Sequence, residues 1–350
     1  MLSPVVCLRR CSVALETMSM WRWRPLVGIA VLGLVTPLLL LVTPVVVVTA
    51  VLADLVTAHW RLPLARLWLF ALIYAAHQWA GLARFARLTF TGRRRALDAH
   101  SAVQAWWIGS LLASADRVLG LRLDWPTVDL PAGHLLILSR HSSPVDAVIP
   151  AYWMTALERR PAQYVMKSQL QFDPCIGLFG HRLGTAFIDR TSGDDATTAI
   201  RRLAARAAPD AALVVFPEGT YATPANRLRV LESLRTRAHE GDEAHGAFRR
   251  ASELQHLLPP RAGGTMAVLD QLPHAPVILL APLGLEGFSG LAAMRRRIPL
   301  RAPVTMTTWI LARSDIPHDE AGRRQWLDEQ WRWLDDWLVK QLGPPAGPAR

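Results

Sequence analysis

The sequence predicts an α/β protein: a mostly parallel central sheet flanked by helices, with an N-terminal membrane-embedded helical hairpin. Three observations carry this. Residues 25–53 contain no charged side chain, and about 20 apolar residues suffice to cross a bilayer. From about Pro131 onward, short apolar runs alternate with stretches of helical periodicity, as in strands joined by crossover helices. Three polar loops follow directly on such runs, at the sheet edge where α/β proteins build their sites. The division expected is a basic segment 1–24, a membrane hairpin 25–95, a single α/β domain 96–342 and a disordered tail 343–350, rich in proline.

The first apolar run holds Pro37 and Pro44, both tolerated in a membrane helix. A signal peptide is the rival reading, with 51–53 as a loose cleavage site, but the apolar core is long for one. A second apolar run, 67–83, carries Trp68, Tyr74 and Trp79 as interfacial anchors. It is short enough to dip into the interface rather than span. Arg9, Arg10, Arg22 and Arg24 precede the first run, and Arg84, Arg87, Arg93, Arg94 and Arg95 follow the second. The link between them has only Arg61 and Arg66 against Asp54. Positive charge collects on the cytoplasmic side, so both ends and the α/β domain are expected at the cytoplasmic face of the cell (inner) membrane. Residues 101–123 read as an amphipathic helix that either rests on the membrane or packs on the domain.

Within the domain, 134–139 reads as a strand and 146–157 as a helix broken near Pro150. Residues 163–166 and 185–188 are strands, and 194–208 is a helix capped by Asp194 or Asp195. Residues 211–216 form a buried strand, 266–272 a helix, and 276–282 and 304–311 two more strands. Residues 317–342 form a helix stopped by Gly343-Pro344-Pro345. Trp326, Leu327, Trp331, Leu334, Leu338 and Leu342 recur along it at helical spacing, widened by Trp333 and Trp337, for core packing or for membrane contact.

The chain has 350 residues, 51% of them hydrophobic, and a formal net charge of +11. Such a charge suits nucleic acid or an anionic membrane surface. The basic residues are scattered or flank apolar runs and form no nucleic-acid recognition motif, so the membrane is the expected partner and nucleic acid is not. Lysine occurs only at Lys167 and Lys340. Cys7, Cys11 and Cys175 lack the spacing of a disulfide framework or a zinc site. His239, Glu240, Asp242, Glu243 and His245 fit no ligand pattern, and a solvated helix and loop is expected over 231–256.

The chemistry sits in the three loops. Ser139-Arg140-His141-Ser142-Ser143-Pro144-Val145-Asp146 follows the first strand. Asp146 lies five residues beyond His141, so one turn brings its carboxylate back to the imidazole. A His oriented by a carboxylate is a suitable general base near neutral pH; a surface His near a helix-capping Asp fits this segment alone equally well. The second loop closes Gly184-Thr185-Ala186-Phe187-Ile188-Asp189-Arg190 and the third is Phe216-Pro217-Glu218-Gly219-Thr220. A buried strand with a surface salt bridge and a simple turn would explain each separately. The ordered set of three, each after a strand, is what coincidence explains poorly.

This set resembles the conserved blocks of the glycerolipid acyltransferases, most closely the 1-acylglycerol-3-phosphate (lysophosphatidic acid) acyltransferase branch. The fourth block of that family is similar to Leu257-Leu258-Pro259-Pro260-Arg261-Ala262-Gly263-Gly264, and the resemblance covers about residues 123–311. It implies that His141 takes the acceptor's hydroxyl proton and Asp146 orients it. It implies that Arg190 holds the acceptor phosphate, that Glu218 contacts the glycerol part, and that Gly219 and Thr220 let backbone approach the site. Gly184 and Phe187 complete the second block, and Lys167 adds positive charge near phosphate or the reacting carbonyl. The implied substrates are a lysophospholipid acceptor and an acyl thioester donor, acyl-CoA or acyl carrier protein, with no cofactor or metal. A neutral imidazole, ordinarily titrating near pH 6.5, removes the proton as the alcohol attacks an already activated thioester. The oxyanion would be met by backbone N–H groups or Lys167.

Two other readings stand beside it. A hydrolase using Ser142 or Ser143 lacks a Gly-x-Ser-x-Gly elbow, and a Ser adjacent in sequence to its His must fold back sharply. A non-enzymatic lipid-binding protein would not need the ordered blocks. One departure concerns the acceptor: the family places Arg directly after Phe-Pro-Glu-Gly-Thr, where this chain has Tyr221. Arg227 and Arg229 are candidates to compensate. Arg295, Arg296 and Arg297 suit either coenzyme A phosphates or a solvated basic surface.

Overall fold

A computed structural model describes residues 23–93, 96–189, 193–286, 288 and 290–344, the side chains of 193–195 excepted. Among the described residues two long helices come first. Helix α1 (Arg24–Val56) contains Pro37 and Pro44 without interruption, and α2 (Pro63–Phe90) runs back along it. Trp68 and Trp79 of α2 donate their indole N–H groups to Thr43 (3.2 Å) and Thr36 (3.0 Å) of α1. Among the described residues, α1 is the one helix long and apolar enough to cross a membrane.

The structure seats both ends of α1 on the α/β domain. At its start, Arg24 donates to the Ser168 carbonyl (3.3 Å), and Gly28 abuts the Phe172 carbonyl so closely that a Cβ would stand 2.0 Å from it. At its end, Asp54 is fully buried and accepts from the backbone N–H groups of Leu64 (2.8 Å) and Ala65 (3.4 Å), capping α2. The same carboxylate lies 3.4 Å from Arg295 in the domain.

Helix α3 (Leu97–Leu119) buries Trp107, Ile108, Leu111, Ala115 and Leu119, so the amphipathic segment packs on the domain. It stops at Gly120, whose positive φ of 71° and contact with the Leu300 carbonyl exclude a side chain. Seven strands follow: β1 (Leu123–Asp124), β2 (Leu135–Ser139), β3 (Ala162–Lys167), β4 (Ala186–Ile188), β5 (Ala212–Val215), β6 (Val277–Leu283) and β7 (Val304–Leu311). They form one sheet in the order β1-β7-β6-β2-β5-β3-β4. Strands β6, β2, β5, β3 and β4 are mutually parallel, and β7 turns antiparallel to β6. The central strands β2 and β5 are buried at every position, which is why they read as unbroken apolar runs.

Alternate residues divide between two cores. Leu135, Ile137, Val214, Ile278 and Leu280 meet α3 and α5 (Pro174–Leu183). Leu136, Leu138, Leu213, Val215 and Leu279 meet α6 (Gly193–Ala205), α9 (Ala262–Gln271) and α11 (Glu320–Leu342). The stripe of α11 is core: Trp331, Leu334 and Leu338 are fully buried, while Trp333 and Trp337 stack edge-on against Trp309.

The 146–157 helix divides into a 3-10 turn (Pro144–Ala147), a single turn α4 (Ile149–Tyr152) and a π turn (Trp153–Leu157). Pro150 sits in the first turn of α4, where a missing N–H costs nothing. Helix α5 is absent from the sequence reading because Gly177 and Gly180 depress helix propensity. They are there for packing: a Cβ at Gly177 would meet Pro25 of α1 at 2.9 Å, and one at Gly180 would meet Phe187 at 2.5 Å. The 231–256 stretch is two helices, α7 (Pro224–Arg237) and α8 (Asp242–Glu253), of which α7 buries no residue.

Candidate active site

Because β2, β5, β3 and β4 are parallel neighbours, the loops that leave them lie along one sheet edge. At about 4.8 Å per strand, the span from the end of β2 to the end of β4 is about 14 Å. The His141 loop and the Glu218 loop, leaving adjacent strands, are therefore in contact. Lys167 closes β3 one strand further and is exposed. Arg190, which would follow β4, lies outside the described residues, as do the side chains of Asp194 and Asp195.

His141 is 8% exposed and its imidazole is held on three sides. The Phe216 ring lies 4.3 Å away at 32°, the Tyr221 ring 4.3 Å away edge-on at 62°. Nδ1 faces Asp146 Oδ2 at 3.9 Å. That is longer than a hydrogen bond, as is common before substrate tightens such a site. With Nδ1 toward Asp146, Nε2 lies on the opposite edge of the ring.

Asp146 is fixed by its own loop. Oδ2 accepts from the backbone N–H of Ser142 (2.5 Å) and of Ser143 (2.7 Å) and from the Ser142 hydroxyl (3.1 Å), and Oδ1 accepts from the Ser143 hydroxyl (3.2 Å). Both serine hydroxyls are thus spent on the carboxylate, and neither is placed as a nucleophile activated by His141. Complete burial pushes the Asp146 carboxyl up to about 6, against the pull of the Ser143 and Ser142 amides and of Arg140.

Glu218 is 2% exposed. Oε1 accepts from the His141 backbone N–H (2.9 Å) and Oε2 from that of Leu258 (3.1 Å). It braces the base's own backbone to the fourth block, and any acceptor contact would be made beside these two bonds. Burial pushes its carboxyl up to about 8, against the two amides and Arg140. Gly219 has φ +69°, and a Cβ on it would stand 3.2 Å from Arg261 Cδ. Arg261 therefore lies across the Glu218–Thr220 turn, its own N–H donating to the Pro217 carbonyl (2.8 Å). Thr220 and the Tyr221 carbonyl are held by the Asn226 side-chain amide (3.3 and 3.0 Å).

Gly184 ends α5 with φ +82°, and Phe187 is buried against His181 and Gly180. Both shape the turn from α5 into β4 through backbone and packing. Arg227, half-buried, donates to the Leu257 carbonyl (3.4 Å), and Arg229 donates to Asn226 (3.1 Å). Arg295 is committed to Asp54, and Arg297 to the carbonyls of Glu286 and Gly284. Two of that arginine triplet thus have protein partners rather than a free basic surface.

Two supports were not visible from motifs. Asp335 of α11, 2% exposed, accepts from the backbone N–H groups of Gln255 (2.6 Å), His256 (2.8 Å) and Leu257 (2.8 Å), fixing the turn before Leu258. A carboxylate inside an apolar helical stripe is the signal that could have found it. Arg140, 2% exposed, pairs with Glu286 at 2.6 Å. Among the described residues no cluster of three or more His, Cys, Asp or Glu is placed to hold a metal.

A solved structure similar to this chain is that of the 1-acyl-sn-glycerophosphate (LPA) acyltransferase PlsC from Thermotoga maritima. The two are 13% identical over 79% of this chain and 97% of that one, with a TM-score of 0.47. Residues 127–279, which hold the His141, Arg190, Glu218 and Arg261 segments, match the family model Acyltransferase. Over residues 127–279 the chain thus carries an acyltransferase domain, which marks it as an enzyme of that kind.

Proposed function

We propose that this enzyme transfers a fatty acyl group from acyl-CoA or acyl carrier protein to the free hydroxyl of 1-acylglycerol-3-phosphate, in phospholipid synthesis. The observation that carries the reading is the His141–Asp146 pair, held at the sheet edge by Glu218. His141 Nε2 takes the hydroxyl proton as the oxygen attacks the thioester carbonyl carbon. When the C–S bond breaks, the imidazolium returns that proton to the departing thiolate, and Asp146 stabilises the imidazolium between the two steps. Lys167 and Arg261, with Arg190 of the second block, supply the cations for phosphate. A guanidinium grips phosphate through two bonds.

Tyr221 favours a second acceptor reading. Its ring stands edge-on to His141, where the family has an arginine. A phosphomonoester carries nearly two negative charges and a phosphodiester one, so the lost cation weighs more against lysophosphatidate than against a lysophospholipid with a larger headgroup. An acceptor panel with purified protein and one acyl-CoA tests this, with Tyr221→Arg beside the wild type. The expected result is a shift toward lysophosphatidate in the variant. Strict preference for lysophosphatidate, unchanged in Tyr221→Arg, removes the second reading. No transfer to any lysophospholipid removes both.

We also infer that the hairpin holds the enzyme at the cell membrane, on its cytoplasmic side. At 1.5 Å per residue α1 is about 50 Å long, against about 30 Å of hydrocarbon. Since both its ends touch the domain, the geometry suits a helix lying along one leaflet better than one crossing it.

A further inference from the structure

We propose that Arg140 is a positioning residue of the catalytic pair: it anchors the His141 loop to the loop after β6 and supplies the positive field that keeps Asp146 a carboxylate. The inference rests on the proposed reaction, in which Asp146 must be charged to steady the imidazolium.

The anchoring is geometric. The Arg140 backbone N–H still donates to Leu280 of β6 (3.0 Å), so residue 140 is the last fixed point of the ladder before His141 turns away. Its guanidinium then reaches the β6 loop, with Nη1 donating to the Pro282 carbonyl (2.9 Å) and to Glu286 Oε1 (2.6 Å). Glu286 is itself held, Oε2 accepting from the Gly284 N–H (2.8 Å), while Arg297 of α10 (Leu291–Arg297) binds the carbonyls of Glu286 and Gly284. Arg140 is thereby clamped by backbone and side chain on opposite sides of the residue that carries the base.

The field follows from burial. Asp146 and Glu218 both lie within the protein next to His141, and buried anions are costly without a compensating cation. The groups around the pair are Arg140 on the same loop, Glu218 and Tyr221 after β5, Arg261 before α9, and Glu286 and Arg297 beyond β6. Arg140 is the fully buried cation among them, and it acts on three carboxylates at once. It opposes the upward push of burial on Asp146 and on Glu218. Burial works to raise Glu286 as well, but the contact with Arg140 holds that carboxyl below its ordinary value. Without Arg140, Asp146 would keep its proton to higher pH and lose its hold on the imidazolium.

The experiment measures acyl transfer from an acyl-CoA to lysophosphatidate against pH for the full-length wild type, Arg140→Gln, Arg140→Lys and Glu286→Gln. A neutral Gln is expected to move the acid limb of kcat up by about one pH unit, the usual size of an opposite-charge effect. Activity then falls about tenfold at the acid end and recovers at alkaline pH, with KM little changed; Lys restores the wild-type limb. An acid limb in Arg140→Gln that coincides with the wild type, with kcat lower at every pH, overturns the proposal. Should Arg140→Gln fail to fold, Glu286→Gln decides: it leaves the Arg140 charge unneutralised, so its limb stays or moves down, and an upward shift overturns the proposal. A wild type without transfer overturns the proposed reaction, and this inference with it. A transferring wild type with an unshifted Arg140→Gln limb overturns the inference alone.

Discussion

The helical hairpin and the catalytic loops depart from the usual partition of polar and apolar surface in opposite directions. Along α1, Leu34 and Leu41 are 75% and 77% exposed. In the loops, Asp146 is 0% and Glu218 2% exposed. Exposed leucines and buried carboxylates both oppose folding in water, so each region implies a compensation elsewhere. For the loops the compensation is visible: amides of Ser142, Ser143, His141 and Leu258 donate to the carboxylate oxygens, and Arg140 offsets part of the cost of their burial. For α1 the described residues bury only Pro25, Gly28 and Asp54, all at its two ends, so the compensation is external, as a bilayer would provide. The domain docks the helix by its two ends and leaves the apolar middle exposed.

The largest effect is expected where the comparison is most one-sided. His141→Ala removes the base but leaves intact every bond to Asp146 and Glu218, because Glu218 binds the backbone of residue 141. Its kcat is expected to fall by about 10³-fold or more, with the thermal melting curve and membrane binding of the wild type. Transfer at near wild-type rate by the purified variant breaks the mechanism.

A smaller effect is expected from α1. Leu34→Asp combined with Leu41→Asp puts two charges on one exposed face, and the hold of a helix lying along a leaflet scales with the apolar area it buries there. Neither side chain packs in the domain cores, so the double variant should leave the membrane fraction yet melt as the wild type does. Retention on membranes at high salt would mean that another surface, such as exposed Leu170 and Phe172 beside Ser168, holds the enzyme.

How much of this was legible in the sequence differs between the regions for a physical reason. The apolar run 25–53 and the alternation after Pro131 depend on local composition, and both became the elements expected of them. His141 with Asp146 was legible because the two lie five residues apart, and Glu218 because its motif closes a strand of its own and parallel strands bring such ends to one edge. Asp54 with Arg295, Arg140 with Glu286, and Asp335 with Leu257 are pairings between segments far apart in the chain, and no periodicity encodes them. Gly177 and Gly180 mislead locally, since they weaken α5 as an isolated helix while fitting it against Pro25 and Phe187.

The finest comparison is within the active site, between what Asp146 contributes to catalysis and what it takes from stability. Burial raises its carboxyl from 3.8 to about 6. The folded state thus retains a proton that the unfolded chain gives up, and stability falls as pH rises from about 4 to about 6, then stays lower above that window. At about 1.4 kcal/mol per pH unit, the loss is up to about 3 kcal/mol. Glu218, raised from 4.5 to about 8 chiefly by burial and in small part by the Asp146 charge, acts in the same direction over a higher range, so removing that charge eases both. Asp146→Asn removes the ionisation but keeps the shape: one oxygen can still accept from Ser142 and Ser143, and the amide can donate to the Ser143 hydroxyl. The variant is therefore expected to lose most acyl transfer at neutral pH and yet unfold at higher temperature than the wild type at pH 8, the difference vanishing toward pH 4. Thermal unfolding at pH 4, 6 and 8 measures it. An Asn variant that is less stable than the wild type by the same amount at all three would show that the carboxylate is held in the fold at no net cost, and that the burial of charge in the loops needs no compensation.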